Sequence, residues 1–458
     1  MRGGATTIRW FAAIIVLAVA SLAAAEPLSF SNAADRLSLA PTQRAAESRL
    51  SQAQAQSEAA SGLGLPNFDL GGQIVRIKDP IEVNFAPLNA MLEQLLPGAI
   101  PLPNPVLQQD LFAAAEAGLR WPLFTGGRAT AAREAAHLGA AAAQWGSTVA
   151  SDALFVELLT RYYAVTVAQQ AVDVQEALLN GLRLHDRNAR SLYDNDQISR
   201  TERLAAEVAL AQGEQSMLSR RHTLTLANSA LASLLSLSSP LDPVTELTVP
   251  RLDAPLSALQ ADAEASNPAL KQLDSLRAQA EQGVRAAKGE YLPTVELVGV
   301  YRVGSYQLPE LLPRWIAAIN ISVPVFDGGI RRGRVGEARA KLSEAGALHA
   351  KAAEELHLLV EQRYLAYQDA LERIAVSDRT ITLTDDSLRS QRLAFVEGVG
   401  RSADVVDAEN AAAGAKLARL AARYDAAIAY GTLMLAAGRR EQAENFFRNA
   451  PTRAPPTP

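Results

Sequence analysis

The side chains able to do chemistry are few and widely spaced in this sequence. Cysteine is absent, which excludes disulfides, thiolate metal sites and a cysteine nucleophile. The five histidines, among them His137, His185 and His357, lie on helical patterns without metal-ligand spacing. A hydrolase would need a paired nucleophile and base, and neither Gly-x-Ser-x-Gly nor a phosphate-binding glycine loop is present. We therefore expect no catalysis, no metal and no cofactor.

Two pairs of adjacent glycines follow apolar stretches and precede helical patterns. Gly126-Gly127 and Gly328-Gly329 superficially suit a dinucleotide fold, but no third glycine or ribose-binding acid is properly placed. Each pair instead ends a Pro-x-Phe-x-Gly-Gly motif that begins at Pro122 or at Pro324. The two copies are 202 residues apart, which indicates an internal repeat. We expect these residues to be strand-to-helix joints.

Alternation of apolar and polar residues before each joint predicts two β-hairpins. The first covers residues 66–124 and the second residues 293–326. Six prolines between 79 and 109 remove backbone donors too often for helix or sheet, so this segment is expected to be a long loop. Each chain thus supplies four strands.

Proline-free segments rich in alanine, leucine, arginine and glutamate follow each joint and predict long helices. They cover 128–193 and 200–237 in the first repeat, and 330–394 and 402–437 in the second. The first would be about 100 Å long, too long to bury its apolar stripe in a compact domain. We therefore expect antiparallel coiled coils with tips at the polar breaks near 194–199 and 397–402.

The patterns divide the chain into five parts. Residues 1–25 have two arginines, a short apolar core and small cleavage-site residues, as in a secretory signal peptide, with an uncleaved anchor as the alternative. The first repeat covers 26–237 and the second 256–438, each beginning with a helix. A linker covers 238–255 between them. The proline-rich end at 439–458 is expected to be a disordered tail.

The strands have the alternation of outer-membrane strands. In the last strand Ile319 and Ile321 alternate with Asn320 and Ser322. Four strands cannot close a barrel and an open edge cannot face lipid, so copies of the chain must share one barrel. The alternative is a soluble sheet packed on helices, but the long helices lead away from the strand ends. The formal net charge of −5, without a basic field, argues against nucleic acid as a partner.

The paired motifs resemble those of the TolC-like family of outer-membrane efflux and secretion channels. The resemblance covers nearly the whole chain after residue 25. It rests on Pro-Leu-Phe-Thr-Gly-Gly-Arg at 122–128, Pro-Val-Phe-Asp-Gly-Gly-Ile at 324–330, Leu-Pro at 65–66 and 292–293, and Gly-Val-Gly-Arg-Ser-Ala-Asp-Val-Val-Asp-Ala at 398–408. It implies a mainly α chain with a membrane β-barrel, in which a homotrimer forms one barrel of twelve strands and a periplasmic helical tunnel. The segment 238–255 would be equatorial.

The family resemblance also implies a function and a location. The protein would be an exit duct in the outer membrane of a Gram-negative bacterium, extending into the periplasm. It would serve a tripartite efflux pump or a type I secretion system as a passive conduit. Its partners would be outer-membrane lipid, a periplasmic adaptor (membrane fusion) protein and an inner-membrane transporter. The loops at 79–109 and 305–311 would face outside. A periplasmic coiled-coil structural or adaptor protein without a membrane barrel is the alternative.

Finally, the resemblance implies roles for residues near the second tip. Asp404 and Asp407 match family aspartates that ring the narrow periplasmic entrance, and their i, i+3 spacing puts them on one helix face. Six such carboxylates in a trimer would favour cations. Without the resemblance, a solvated acidic face is the preferred interpretation. Arg401 is the candidate gate latch. Glu202 and Ala205 stand at the matching positions of the first tip, so the entrance charge is expected mainly from the second repeat.

Overall fold

The computed structural model describes residues 26–237, 240–307 and 313–453. The expected signal peptide at 1–25 lies outside these residues, as does part of the expected loop at 305–311. Within them the α-helices are α1 Phe30–Arg36, α2 Pro41–Ser61, α3 Ala86–Leu95, α4 Arg128–Asp194, α5 Arg200–Leu235, α6 Leu256–Ser266, α7 Pro268–Gly289, α8 Ile330–Val396, α9 Ser402–Ala436 and α10 Arg440–Arg448. The strands are β1 Glu26–Leu28, β2 Asn67–Arg76, β3 Ile81–Glu82, β4 Val106–Gln108, β5 Leu111–Phe124, β6 Leu241–Pro243, β7 Thr294–Tyr306 and β8 Trp315–Ser322.

The chain divides into two compact units. The first unit contains the chain up to Arg44, Ser151–Ala265 and the chain from Leu358, and the second contains Ala45–Ala150 and Ser266–His357. Each long helix, α4 and α8, has 67 residues and contributes to both units. None of the helices in the described ranges carries an apolar stretch long enough to span a membrane.

The second unit is built on one antiparallel sheet of the four predicted strands. The strand order is β2-β5-β7-β8, so the two hairpins lie side by side through the pairing of β5 with β7. Strands β2 and β8 are the two edges of the sheet. Their outer backbone groups have no neighbouring strand within the described chain, which leaves both edges open for pairing.

The segment between β2 and β5 is more ordered than predicted. The expectation of a long loop at 79–109 is wrong in part, because this segment contains helix α3 and the short pair β3-β4. Pro87 lies in the first turn of α3, where a missing backbone N–H costs little. The proline-free run from Leu88 to Leu96 then continues the helix. The number of prolines in the whole segment gives no sign of this proline-free interval.

The first unit has an aromatic core around helix α1 and the end of the chain. Phe30, Phe155, Tyr162, Tyr163 and Phe447 are fully or almost fully buried and contact one another through edge and stacked arrangements. The Tyr162 hydroxyl donates to the carbonyl of Leu28 at 2.7 Å and accepts from the backbone N–H of Thr245 at 3.0 Å. These bonds hold β1 beside β6, with which it pairs in parallel.

The prediction of a disordered tail at 439–458 is wrong for the described residues. Helix α10 buries Phe447 completely, and Arg448 binds Asp35 of α1 at 2.7 Å. Arg440 contacts Asp152 of α4, also at 2.7 Å. The prolines that suggested disorder begin only at 451, and residues 454–458 lie outside the described ranges. Long-range partners, which local composition does not reveal, order this helix.

Candidate functional site

The strand-to-helix joints require left-handed backbone at four glycines. The φ angles are 64° and 78° at Gly126 and Gly127, and 67° and 95° at Gly328 and Gly329. These angles are strained for any residue with a Cβ. Gly126 also touches the backbone of Gly289 at the end of α7, since a Cβ on Gly126 would lie 2.4 Å from the Gly289 carbonyl oxygen. The first joint is therefore both strained and crowded.

At each joint a side chain at the same repeat position accepts a hydrogen bond from the first turn of the long helix. The Thr125 hydroxyl accepts a hydrogen bond from the N–H of Ala129 at 3.1 Å. At the second joint Asp327 accepts from the N–H of Arg331 at 3.0 Å and from its guanidinium at 2.6 Å. Hydrogen bonds from Arg331 hold the pKa of Asp327 below its usual value. The guanidinium also donates to the carbonyl of Pro324 at 2.6 Å, which secures the proline of the motif.

The four-stranded sheet has one apolar face. Directly paired residues share a face, and the pairs Phe68↔Leu119, Leu297↔Ile319 and Val295↔Ile321 place large apolar side chains together. Much of this face is exposed in the single chain: Leu70 is 78 % exposed and Ile74 80 %. Contiguous exposed apolar side chains are typical of surfaces that contact protein or membrane.

The opposite face of the sheet carries the charged side chains of its middle rows. Asp69, Glu116, Arg120, Glu296 and Arg302 share this face according to the strand register. Arg120 pairs with Glu296 at 3.5 Å, and Arg302 with Glu116 at 4.0 Å. Cross-strand pairs of opposite charge stabilise an antiparallel register modestly. The two faces thus differ as the alternation predicted.

The two tips between the long helices have matching backbones. Asp196 and Gly398, at equivalent repeat positions, are both left-handed, with φ angles of 60° and 75°. In the first tip the N–H of Gln197 donates to the Leu192 carbonyl at 2.8 Å, and in the second the N–H of Val399 donates to the Ala394 carbonyl at 3.0 Å. These bonds satisfy the last carbonyls of α4 and α8. Aspartate tolerates this conformation better than most residues.

A small apolar core joins the two tips in the first unit. Ala189, Ala206, Phe395 and Val405, one from each of α4, α5, α8 and α9, are almost fully buried against one another. The two helix pairs therefore pack as one body at this end of the unit.

A polar cluster that is buried only in part lies beside this apolar core. It consists of His185 and Gly181 of α4, Glu202 of α5, Arg392 of α8, and Ser402 and Glu409 of α9. His185 Nε2 is 2.7 Å from the Ser402 hydroxyl, and its ring centroid is 4.6 Å from that of Phe395. Burial lowers the pKa of His185. Arg392 pairs with Glu409, whose pKa is raised by burial despite the guanidinium.

Asp404 and Asp407 lie on the first turns of α9, as predicted. Asp404 is half-buried and Asp407 is exposed. Arg401 occupies the N-cap position of α9 with an exposed side chain, and within the described residues it forms no ion pair with a carboxylate. The structure thus brings the three residues to one helix start but does not join Arg401 to an aspartate. Their roles at an entrance stay predictions.

The sequence pattern does not predict the polar cluster as a site. The lack of metal-ligand spacing around His185 gives no sign of its contact to Ser402, which spans 217 positions in the chain. The internal repeat identifies Glu202 only as the counterpart of Asp404. The Ser-x-x-Glu pattern at Ser199–Glu202 was the available signal, since it is typical of a helix N-terminus.

Comparisons with known proteins agree with this architecture. Residues 259–439 match the family model described as outer membrane efflux protein. The chain is 28% identical over 307 residues to Protein CyaE of Bordetella pertussis, a match that covers 64% of this chain and 63% of that protein. The chain thus spans less than two thirds of the length of this curated relative.

Solved structures of outer-membrane proteins have the same fold. The outer membrane protein VceC of Vibrio cholerae matches with a TM-score of 0.75 at 17% identity, over 89% of this chain and 96% of that chain. The open state of the MtrE outer membrane channel of Neisseria gonorrhoeae matches with a TM-score of 0.74 at 18% identity, over 90% and 89% of the two chains.

These findings bear on location and chemistry as well as fold. They agree with the expected location in the outer membrane, because the family model and the matched structures are described as outer-membrane proteins. The matched family model and channel structure agree with the expectation that the protein is not an enzyme. Residues 259–439 thus resemble the outer membrane efflux proteins, and the resemblance to the TolC-like channel family that the paired motifs predicted is confirmed.

Proposed function

We propose that three copies of this chain form a channel that is the exit duct of a tripartite efflux pump or a type I secretion system. The observation that carries the proposal is the four-stranded sheet, which combines two open edges with one apolar and one charged face. Such a sheet satisfies its edges and covers its apolar face when copies pair edge to edge within lipid. The charged face then lines the interior.

The repeat structure supports the same proposal. The division into repeats at 26–237 and 256–438, with a linker at 238–255, gives each copy two hairpins and two helix pairs. A periplasmic adaptor and an inner-membrane transporter would supply partner contacts and energy, because a passive conduit needs both. The joint residues Pro122, Gly126, Gly127, Pro324, Gly328 and Gly329 would turn the chain from barrel to tunnel.

The proposed entrance is the start of α9. Asp404 and Asp407 share a helix face there, and in a trimer their carboxylates would surround the axis and favour cations. Arg401, which has no partner carboxylate in the described chain, would then be available to latch to a neighbouring copy. In this arrangement the channel would open and close at the entrance.

The test is the behaviour of the purified mature chain. We expect a detergent-dependent trimer whose migration in SDS gels changes on heating, and discrete conductance steps in planar bilayers. A periplasmic coiled-coil adaptor without a barrel is the alternative, and its sheet would need to shelter its exposed apolar side chains. A monomer that salt alone extracts from membranes, and that does not conduct, would favour that alternative.

A further inference from the structure

The helix that carries Asp404 and Asp407 begins without a cap of its own. The first N–H groups of any helix have no partner within the helix. At the start of α5 the Ser199 hydroxyl accepts from the N–H of Glu202 at 3.2 Å. At the start of α9 the equivalent residue is Arg401, whose side chain forms no capping hydrogen bond and has only donors to offer.

Glu202 of the other helix pair supplies the missing hydrogen-bond acceptor. In a Ser-x-x-Glu capping box the glutamate normally reaches back to the N–H of its own serine. Here the Glu202 carboxylate instead accepts from the backbone N–H of Ser402, the first residue of α9, at 2.7 Å. A carboxylate at a helix N-terminus also interacts favourably with the helix dipole.

Ser402 is therefore held at two points by the first repeat. It is fully buried, its N–H donates to Glu202, and its hydroxyl is 2.7 Å from His185 Nε2. Both contacts come from helices α4 and α5, whereas Asp404 and Asp407 follow on the next turns of α9. The direction of those two carboxylates thus depends on a residue that follows the first tip.

We propose that Glu202 is a positioning residue for Asp404 and Asp407, because it supplies the N-terminal cap of α9 across the two helix pairs. This inference rests on the proposed function, in which those aspartates line the entrance. Glu202 acts as a hydrogen-bond acceptor, so an amide oxygen can replace it in part and a methyl group cannot. Its own charge is secondary.

The cap itself is tested by hydrogen exchange on the full chain in detergent. Glu202→Ala should accelerate exchange of the Ser402 N–H by about tenfold, which is the usual scale of a lost cap. Glu202→Gln should have a much smaller effect. Glu207→Ala is the matched control, since it removes an exposed carboxylate from the same helix, and this carboxylate pairs with Arg203 of that helix. Unchanged exchange in Glu202→Ala, or the same acceleration in Glu207→Ala, would overturn the cap.

The consequence is tested by ion selectivity in planar bilayers. Glu202→Ala should lower the preference for cations toward that of a variant with Asp404→Asn and Asp407→Asn, and Glu202→Gln should stay near wild type. In the background of the two asparagines, Glu202→Ala should have no further effect. Equal losses of cation selectivity in the Gln and Ala variants would mean that Glu202 acts through its own charge. Unchanged selectivity in Glu202→Ala, with the cap lost, would refute the positioning role. Absence of wild-type conductance would instead refute the proposed function, while hydrogen exchange would still decide the cap.

Discussion

Arg392 of α8 donates from Nε to Oε1 of Glu409 on α9 at 2.8 Å, in a space that exists only because residue 181 of α4 is glycine. A Cβ on Gly181 would lie 2.6 Å from the Glu409 carboxylate. The Glu409 side chain is only 4% exposed, and this guanidinium is the main cation that stabilises its charge, with a smaller contribution from Lys416. The pair joins α8 to α9 beneath the second tip.

Replacing Arg392 by methionine should leave a buried carboxylate without its partner. We expect a loss of roughly 2 to 3 kcal/mol in unfolding free energy, below the range for fully buried pairs because Arg392 is partly exposed. Glu409→Gln leaves no buried charge and should cost less. Chemical denaturation of the detergent-solubilised protein measures both. The loss in Arg392→Met should shrink as the pH falls, because burial already raises the pKa of Glu409. Equal losses in the two variants would contradict this account.

Protonation of His185 should weaken the contact between the tips. Burial lowers the pKa of His185 below the ordinary value of 6.5, and Arg392 acts in the same direction, whereas Asp186 and Glu202 oppose the shift. The unfolded chain therefore binds this proton more readily than the folded one, and the stability that the neutral ring provides is lost as the pH falls below about 6.5.

The comparison of wild type with His185→Gln isolates this effect. Glutamine keeps a polar group for Ser402 but does not titrate. The unfolding temperature of wild type should fall between pH 8 and about pH 5, and that of the variant should fall less. Parallel declines in both proteins would assign the acid sensitivity to other groups.

Gly126→Ala should disrupt the first joint. Its φ of 64° disfavours any Cβ, and that Cβ would lie 2.4 Å from the Gly289 carbonyl oxygen. We expect a loss of more than about 2 kcal/mol, measured as reduced thermal stability and reduced recovery of trimer. Gly346→Ala is the control, since Gly346 lies inside α8 with open space around it and should gain about 0.5 to 1 kcal/mol. A tolerated Gly126→Ala would remove the steric argument.

Phe447→Ala should destabilise the first unit strongly. Phe447 is fully buried and contacts Phe30, Phe155 and Tyr163, so truncation removes a large core side chain. The expected cost is about 3 to 5 kcal/mol in unfolding free energy. The half-buried Phe446 offers a matched truncation with a smaller cost. Comparable stability of the Phe447→Ala variant and wild type would restore the disordered-tail interpretation.

Asparagine at both Asp404 and Asp407 should lower cation preference without loss of the trimer. The shapes are kept and six charges are removed from the proposed trimer, so the change should appear in the reversal potential under a salt gradient across a planar bilayer. Glu207→Gln controls for removal of an exposed acid from a neighbouring helix. Unaltered selectivity in the asparagine variant would take both residues away from the entrance.

Repetition made most of the architecture predictable. The 202-residue offset relates Thr125 to Asp327 and Asp196 to Gly398, and the structure gives each pair the same local hydrogen bonds. Strand faces followed from simple alternation. Such features are local, so a single sequence carries them.

The missed features all depend on distant partners. Helix α10 is ordered by Asp35 and Asp152, and the buried histidine near the tips finds its hydroxyl partner in the opposite repeat. Pro87 suggested a loop, but it lies in the first turn of helix α3, where a proline is tolerated. Composition and periodicity do not encode which remote groups meet.

The hydrogen bond from Ser402 to Glu202 runs in one direction between the duplicated halves. Glu202 of the first half caps helix α9 of the second half. Its repeat equivalent, Asp404, lies three residues after Arg401, whereas Glu202 lies three residues after a serine. Two tandem copies of the second half would have an aspartate in place of the glutamate that accepts this hydrogen bond. Two tandem copies of the first half would have serine caps at both helices, so the glutamate would have no uncapped helix to bind. The halves are alike in sequence pattern but not interchangeable, so any swap or circular reordering of them must carry donor and acceptor together.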